Sequence, residues 1–172
     1  MKEDFDACLI HNQWGYLQKF DTNCKNIIED SIDSLILNSK TLFQNNGKYE
    51  IFSLSKIFGI PFGAVVFCRN EELLIKLKLI RDNQKKYSNM QIFLKYLSNF
   101  SKIADGYWQL GETYNAYPGN VINDLIFKNL NNYKHIVQDR LEKIKIMQNF
   151  VNFKIDENRL PIILPIKINE IQ

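Results

Sequence analysis

The stretch Tyr49-Glu50-Ile51-Phe52-Ser53-Leu54-Ser55-Lys56-Ile57-Phe58-Gly59-Ile60-Pro61-Phe62-Gly63-Ala64-Val65-Val66 decides how the rest of the chain is read. An apolar, strand-like run stops at two serines and a lysine, turns through Gly59, Pro61 and Gly63, and re-enters a second apolar run. Taken alone, a lysine beside a turn is a solvated side chain, and serines are common in turns. The sequence upstream changes that reading.

Upstream lies Ile27-Ile28-Glu29-Asp30-Ser31-Ile32-Asp33-Ser34, an apolar pair that ends in two carboxylates. In order, spacing and flanks the two stretches together resemble the active-site core of fold type I enzymes that use pyridoxal phosphate (PLP). The pattern is most similar to the sugar-nucleotide aminotransferases of the DegT/DnrJ/StrS family, whose sequences run like "IEDxAHS" and then "FSxxK…GIPxGGxVV". The resemblance implies an α/β fold: an incomplete, aspartate aminotransferase-like large domain with a mostly parallel sheet, then a long linking helix and the start of a small domain. The corresponding boundaries are 1–115, 116–150 and 151–172.

The resemblance also implies roles for single residues. Lys56 is the Schiff-base lysine, which must lose its proton to attack an aldehyde and so depends on neighbouring charge and desolvation. Asp30, at the carboxyl end of a parallel strand, pairs with the pyridine nitrogen and keeps it protonated, so that the ring acts as an electron sink. Without the resemblance, Asp30 reads as a cap or turn residue. Ser53 stands where the family supplies a hydroxyl to the cofactor phosphate, and Ser55 is a further candidate for that work. Asp33 stands where the family carries His or Gln to orient the cofactor ring. A carboxylate there would repel both the phenolic oxygen and Asp30.

Ala7-Cys8-Leu9-Ile10-His11 predicts a short buried strand, with Asn12-Gln13-Trp14-Gly15-Tyr16 as the loop at its carboxyl end, where open α/β sheets bind ligands. This stretch resembles the family's "xxVHxFG" strand and loop, although His11 alone reads as an interior imidazole. The family places a helix next, and Tyr16 to Asn26 leaves room for a short one capped at Asp21-Thr22. Leu35-Ile36-Leu37-Asn38 and Asn45-Asn46-Gly47-Lys48 fit a small excursion before the lysine strand, and Asn45 to Lys48 resembles the family's "NGKxxG" turn.

Beyond the lysine, Ala64-Val65-Val66-Phe67-Cys68 predicts a buried strand. Glu71 to Arg81 predicts an amphipathic helix with Leu73, Leu74, Leu77 and Ile80 on one face. Its basic face, with Lys76, Lys78 and Arg81, reads as solvated or as a phosphate contact. Aromatic residues between Met90 and Gly111 show no sharp period and carry no assignment. Tyr114-Asn115-Ala116-Tyr117 is similar to the family's "YNxR" loop without its Arg. Pro118-Gly119-Asn120 then opens one long helix with the stripe Val121, Leu125, Leu130, Tyr133, Val137, Leu141 and Ile144. Arg140 matches an arginine of the family's helix, and His135 reads as exposed. Leu160-Pro161-Ile162-Ile163-Leu164-Pro165-Ile166-Lys167-Ile168 resembles the first strand of the small domain, "LPxxFPIxV".

The composition bounds the function classes. The chain has 172 residues, 45% of them hydrophobic, enough for a core, and a net charge of +3 with interspersed signs leaves no nucleic-acid footprint. Cys8, Cys24 and Cys68 form no CxxC pair and no metal-ligand spacing with histidine, which predicts free buried thiols in a reducing compartment and no metal. The acidic start, Met1-Lys2-Glu3-Asp4-Phe5-Asp6, lacks the apolar centre of a signal peptide, and the apolar runs are too short to span a bilayer. The expectation is a soluble, cytoplasmic protein without membrane or nucleic-acid partners.

The resemblance spans most of Ala7 to Ile168 and corresponds to the middle of the family's chain. By analogy, the parts outside it carry the glycine-rich turn to the cofactor phosphate, the ring that stacks on the pyridine, and most of the small domain. A doubly wound sheet without those strands exposes apolar edges. The implied activity is transfer of an amino group from an amino acid, by analogy glutamate, to a keto-sugar nucleotide in surface-polysaccharide or amino-sugar biosynthesis. The implied partners are those substrates and either a second copy (a homodimer) or a complementing chain. The alternatives are a truncated, non-catalytic remnant or structural partner of a complete aminotransferase, and an unrelated small α/β binding module.

Overall fold

The computed structural model describes residues 5–86, 88–110, 116–117, 119–156 and 158–164. Its strands and helices, in chain order, are β1 (Cys8–His11), β2 (Ile27–Asp30), β3 (Ser34–Ile36), β4 (Tyr49–Ser53), α1 (Leu54–Phe58), β5 (Ala64–Cys68), α2 (Glu71–Asp82), β6 (Lys85–Lys86), α3 (Asn89–Ser98), α4 (Lys102–Leu110), β7 (Ala116–Tyr117), α5 (Gly119–Asn131), α6 (Tyr133–Gln148) and β8 (Arg159–Pro161). The chain is α/β with a mostly parallel, mixed sheet in the order β1-β2-β4-β5. The first three strands are parallel and β5 runs antiparallel to β4.

Alternation of side chains across the pleat sets what the central strands bury. In β2 the inward positions are Ile27 and Glu29, and in β4 they are Glu50 and Phe52. Phe52 stands edge-on to Phe67 of β5 with ring centroids 5.7 Å apart. Around it Leu35, Leu54, Ile57, Ile144 and Leu160 close the main core, each buried side chain contributing about 1.5–3 kcal/mol by leaving water.

The outer strands differ from their expected burial. In β1 only Ile10 is buried and Leu9 is 66% exposed, while no residue of β5 is fully buried. These two strands end the strand order among the described residues, so each is covered on one flank only. The cysteines are free as expected, but each is half-buried rather than buried. Hydrogen bonding with Cys24, followed by desolvation, holds the Cys8 thiol above its usual range.

The short helix expected between Tyr16 and Asn26 does not form. Side chains take the backbone groups that helix bonds would have used: Asn12 Oδ1 accepts from Gln18 N at 2.9 Å, and Thr22 Oγ1 accepts from Cys24 N at 3.1 Å. Asn45 Oδ1 accepts from Phe20 N at 2.9 Å and its Nδ2 donates to Gln18 O at 2.7 Å, tying the connection to the turn before β4. Asn and Thr side chains compete with helical bonding in this way.

The expected long helix is divided at Asn132, which leaves helical geometry at φ −95° and ψ 9°. The run Asn129-Leu130-Asn131-Asn132 concentrates poor helix formers there. Beyond the break, Tyr133, Val137, Leu141 and Ile144 pack on the core as the stripe predicts. Before it, Leu125 and Leu130 are exposed, and Ile122 and Ile126 face inward instead. Helix α2 forms over the expected residues, yet none is buried, and only Leu73 and Leu77 of the expected face are half-buried. His135 is exposed as expected.

Residues 159–161 form only a short strand, β8, which pairs antiparallel with β3 and brings Leu160 into the same core as Phe52. The expected segments Met1 to Asp4, Tyr114-Asn115, Pro118 and Pro165 to Ile168, and the side chain of Val121, lie outside the described residues. Among the described residues no helix is long and apolar enough to cross a membrane.

Candidate cofactor site

The site is built at the carboxyl ends of the parallel strands. Register places His11, the last residue of β1, directly opposite Asp30, the last residue of β2, and Asp30 opposite Ile51 of β4. The backbone continues this order past the strand ends, with Asn12 N donating to Asp30 O and Ser31 N to Ile51 O. Two residues after Ile51, the chain turns from β4 into the single turn of α1. Ser53 caps it, its Oγ accepting from Lys56 N at 3.3 Å. Gly59 ends the turn at φ 65°, a left-handed conformation that costs glycine little.

That short turn aims Lys56 back across the strand ends. Its Nζ donates to Asp33 Oδ1 at 2.8 Å; the Lys56 side chain is 40% exposed and that of Asp33 only 9%. His11 Nε2 lies 3.9 Å from Asp30 Oδ2 and 4.0 Å from Asp33 Oδ2. Lys56, Asp33, Asp30 and His11 therefore form one cluster. His11 is an exposed imidazole between two carboxylates rather than an interior one.

Asp30 and Asp33 are engaged differently. Asp30 Oδ1 accepts from Ile32 N at 3.2 Å, whereas Oδ2 accepts no hydrogen bond among the described residues. Asp33 binds the lysine, and its carbonyl oxygen accepts from Ile162 N at 2.9 Å. Ser53 Oγ and Ser55 Oγ are 2.9 Å apart and share one hydrogen bond. Two hydroxyls carry two protons, so one remains for an outside acceptor.

Beneath the cluster lies a buried polar network to whose members the sequence pattern assigned no role. Glu50 Oε1 accepts from Ser31 Oγ and from Arg159 Nη2, both at 2.7 Å, and its Oε2 accepts from Phe43 N at 2.7 Å. Arg159 also donates to Ser31 Oγ at 2.9 Å, to Thr41 Oγ1 at 3.1 Å and to Thr41 O, and its guanidinium lies over the Phe52 ring. Asn12 Nδ2 donates to Ser31 Oγ at 2.9 Å. Glu29 accepts from Asn45 N, Asn45 Nδ2 and Gly47 N. Glu29, Glu50 and Arg159 are all 0% exposed, and the bonds to them offset the large cost of burying charge. Ser31 is where the network meets the site, because it follows Asp30 directly. The available signal was period two: Glu50 shares an inward phase with Phe52, and Glu29 shares one with Ile27.

Among the described residues no group of three or more His, Cys, Asp and Glu side chains is placed to hold a metal ion. The donor set does fit pyridoxal phosphate. It offers a partly buried Asp30 oxygen without a hydrogen bond among the described residues, a primary amine held by Asp33, and a spare hydroxyl proton at the base of the amine's own turn.

A mostly parallel α/β sheet with a lysine and two carboxylates gathered at its strand ends is thus the architecture and candidate site of this chain. Residues 1–169 match the model of the family described as "Putative PLP-dependent aminotransferase", and the chain belongs to that family. No curated protein and no solved structure matches the chain.

Proposed function

We propose that this chain is a PLP-dependent aminotransferase polypeptide in which Lys56 anchors the cofactor. Amino-group transfer to a keto-sugar nucleotide, as in the DegT/DnrJ/StrS family, is the substrate reading that its motifs favour. The observation that carries the proposal is the cluster itself: Lys56 Nζ at 2.8 Å from Asp33, with Asp30 and His11 on the neighbouring strand ends.

Pyridoxal phosphate supplies an electron sink for the exchange of an amino group. The residues of the chain do the rest. With the cofactor bound, Asp30 Oδ2 would hold a proton on the ring nitrogen, the Ser53–Ser55 pair would donate to the phosphate, and Lys56 Nζ would move a proton at the reacting carbon. Asp33 keeps Lys56 aimed into the site. His11 adds a titratable group next to both carboxylates. A second copy or a complementing chain covers the outer strands and closes the site.

The test is to add PLP to the purified protein, record absorbance, reduce with borohydride and analyse peptides by mass spectrometry. A pyridoxyl group on the Lys56 peptide, absent in Lys56→Ala, is the expected result. Equal spectra for the two proteins without an adduct on Lys56 would refute it. The Asp33–Lys56 ion pair favours a second reading, a non-catalytic relative, because it gives Lys56 a carboxylate where the family carries the ring-orienting His or Gln. Labelling by PLP without amino-group exchange would select that reading.

A further inference from the structure

We infer that Cys8 and Cys24 form a reversible dithiol–disulfide site, a place of modification by small-molecule disulfides that lies outside the aminotransferase chemistry and does not depend on it. The two cysteines are separated by the whole β1–β2 connection and meet where that connection returns to start β2. Cys8 opens β1 opposite Ile27, and Cys24 lies three residues before Ile27. Asn26 O accepts from Cys8 N at 2.8 Å and from Cys24 Sγ at 3.5 Å. Thr22 Oγ1 lies 4.0 Å from Cys8 Sγ and accepts from Cys24 N at 3.1 Å. These two links hold both cysteines at one place, and the thiols hydrogen-bond with each other.

The pair is open to reagents. Both cysteines are half-buried, and Cys8 and Thr22 line a cleft of about 500 Å³ together with Phe5, His11 and Phe20. Cys68 lies on β5, at the other end of the strand order. Among the described residues no group of three His, Cys, Asp or Glu side chains makes the pair a metal site. The hydrogen bond with Cys24 is the largest cause that holds the proton on Cys8, so Cys24 attacks first. Its sulfur bonds to one sulfur of the small disulfide, whose S–S bond breaks and releases one thiol. With Cys24 capped, that hydrogen bond is gone and Cys8 loses its proton more readily. Cys8 then attacks Cys24 Sγ, which forms the protein disulfide and expels the second small thiol. Two electrons pass to the reagent, and the protons of both cysteines end on the two released thiols. The cross-link fixes the irregular connection from Tyr16 to Asn26 against β1. In a reducing compartment such a bond is a transient redox mark rather than a structural staple.

The experiment equilibrates the full chain with mixtures of oxidised and reduced glutathione, folded and in urea, and maps the sulfurs by peptide mass spectrometry. A Cys8–Cys24 cross-link that dithiothreitol reverses is expected, with Cys68 outside it. Its equilibrium constant should be about tenfold larger in the folded chain than in urea, because the fold holds the two thiols together before they react. The oxidised chain should accordingly have the higher urea midpoint. Phenylarsine oxide reads the same proximity without oxidation, its arsenic bonding both sulfurs with loss of one water. One equivalent should stay on wild type and on Cys68→Ser through gel filtration, and none on Cys8→Ser or Cys24→Ser. Three results overturn the inference: glutathione carried separately on Cys8 and Cys24 without a cross-link, equal constants in the folded and unfolded chain, or arsenical binding that survives loss of either cysteine. Labelling of Lys56 by PLP is independent of every one of these outcomes.

Discussion

The carboxyl end of the sheet and the layer formed by α2, α3 and α4 are built on opposite terms. At the sheet end, three charged residues are completely buried and satisfied, and strands distant in sequence are joined through Ser31, Glu50 and Arg159. In the helical layer, neither α2 nor α3 buries a single residue, and Phe100 and Ile103 are 76% and 75% exposed. The helices hold by local means: the Ser88–Gln91 capping box of α3, the Asn70 cap of α2 and the packing of α3 against α4. One region has its partners within the chain, and the other presents apolar surface of the kind that marks an interaction site. Buried, fully paired polar groups therefore underlie the strand ends that hold the candidate cofactor residues.

The sharpest way to break this contrast is Arg159→Met. It leaves Glu50 buried without its cation and should cost about 3–5 kcal/mol, read as a lower urea midpoint. The double variant Glu50→Gln with Arg159→Met removes the stranded charge and should be more stable than Arg159→Met alone. If it is not, the network acts through packing rather than charge.

Gly15→Ala comes next. Gly15 sits at φ +81°, and an added Cβ would meet Pro161 N at 2.8 Å, so strain and collision together should cost about 1–3 kcal/mol by the same measurement. An unchanged midpoint would mean that β8 does not press on the loop after β1.

Tyr133→Phe sharpens the comparison at its boundary. The Tyr133 hydroxyl donates to Ile36 O at 2.7 Å, and losing that bond should cost about 1 kcal/mol. Burial raises the Tyr133 pKa above its ordinary 10. The folded state favours the neutral phenol, so the group stabilises fully below pH 10 and loses that contribution as pH rises through its folded value. Urea midpoints measured from about pH 9 upward should fall more steeply in wild type than in Tyr133→Phe; parallel curves would remove this role.

The smallest effect belongs to the helical layer. Phe100→Ser or Ile103→Ser should change monomer stability by no more than about 0.5 kcal/mol. A shift toward smaller species in sedimentation, with stability unchanged, would show that a second chain covers this face.

How much of this was legible in the sequence varies by region. The strands Ile27–Asp30, Tyr49–Ser53 and Ala64–Cys68 and the helix Glu71–Asp82 follow from local apolar pattern, caps and turns, and they form where the pattern puts them. Asn132 breaks a helix that the apolar stripe continues through, because the stripe records side-chain phase and not backbone propensity. The connection from Tyr16 to Asn26 stays irregular because Asn45, distant in sequence, supplies the bonds that displace a helix.

By itself the sequence determined the strands β2, β4 and β5, the helix α2, the turn that carries Lys56 and the strand end that carries Asp30. These depend on residues close to one another along the chain, whose periodicity and turn chemistry act locally. Only the tertiary structure decided that Asp33 holds Lys56, that His11 faces both carboxylates, and that Arg159 closes the floor of the site on Glu50. Each of those pairs is joined across many intervening residues. A buried charge keeps its place only if the folded chain brings it a partner, and no local pattern specifies which partner that is.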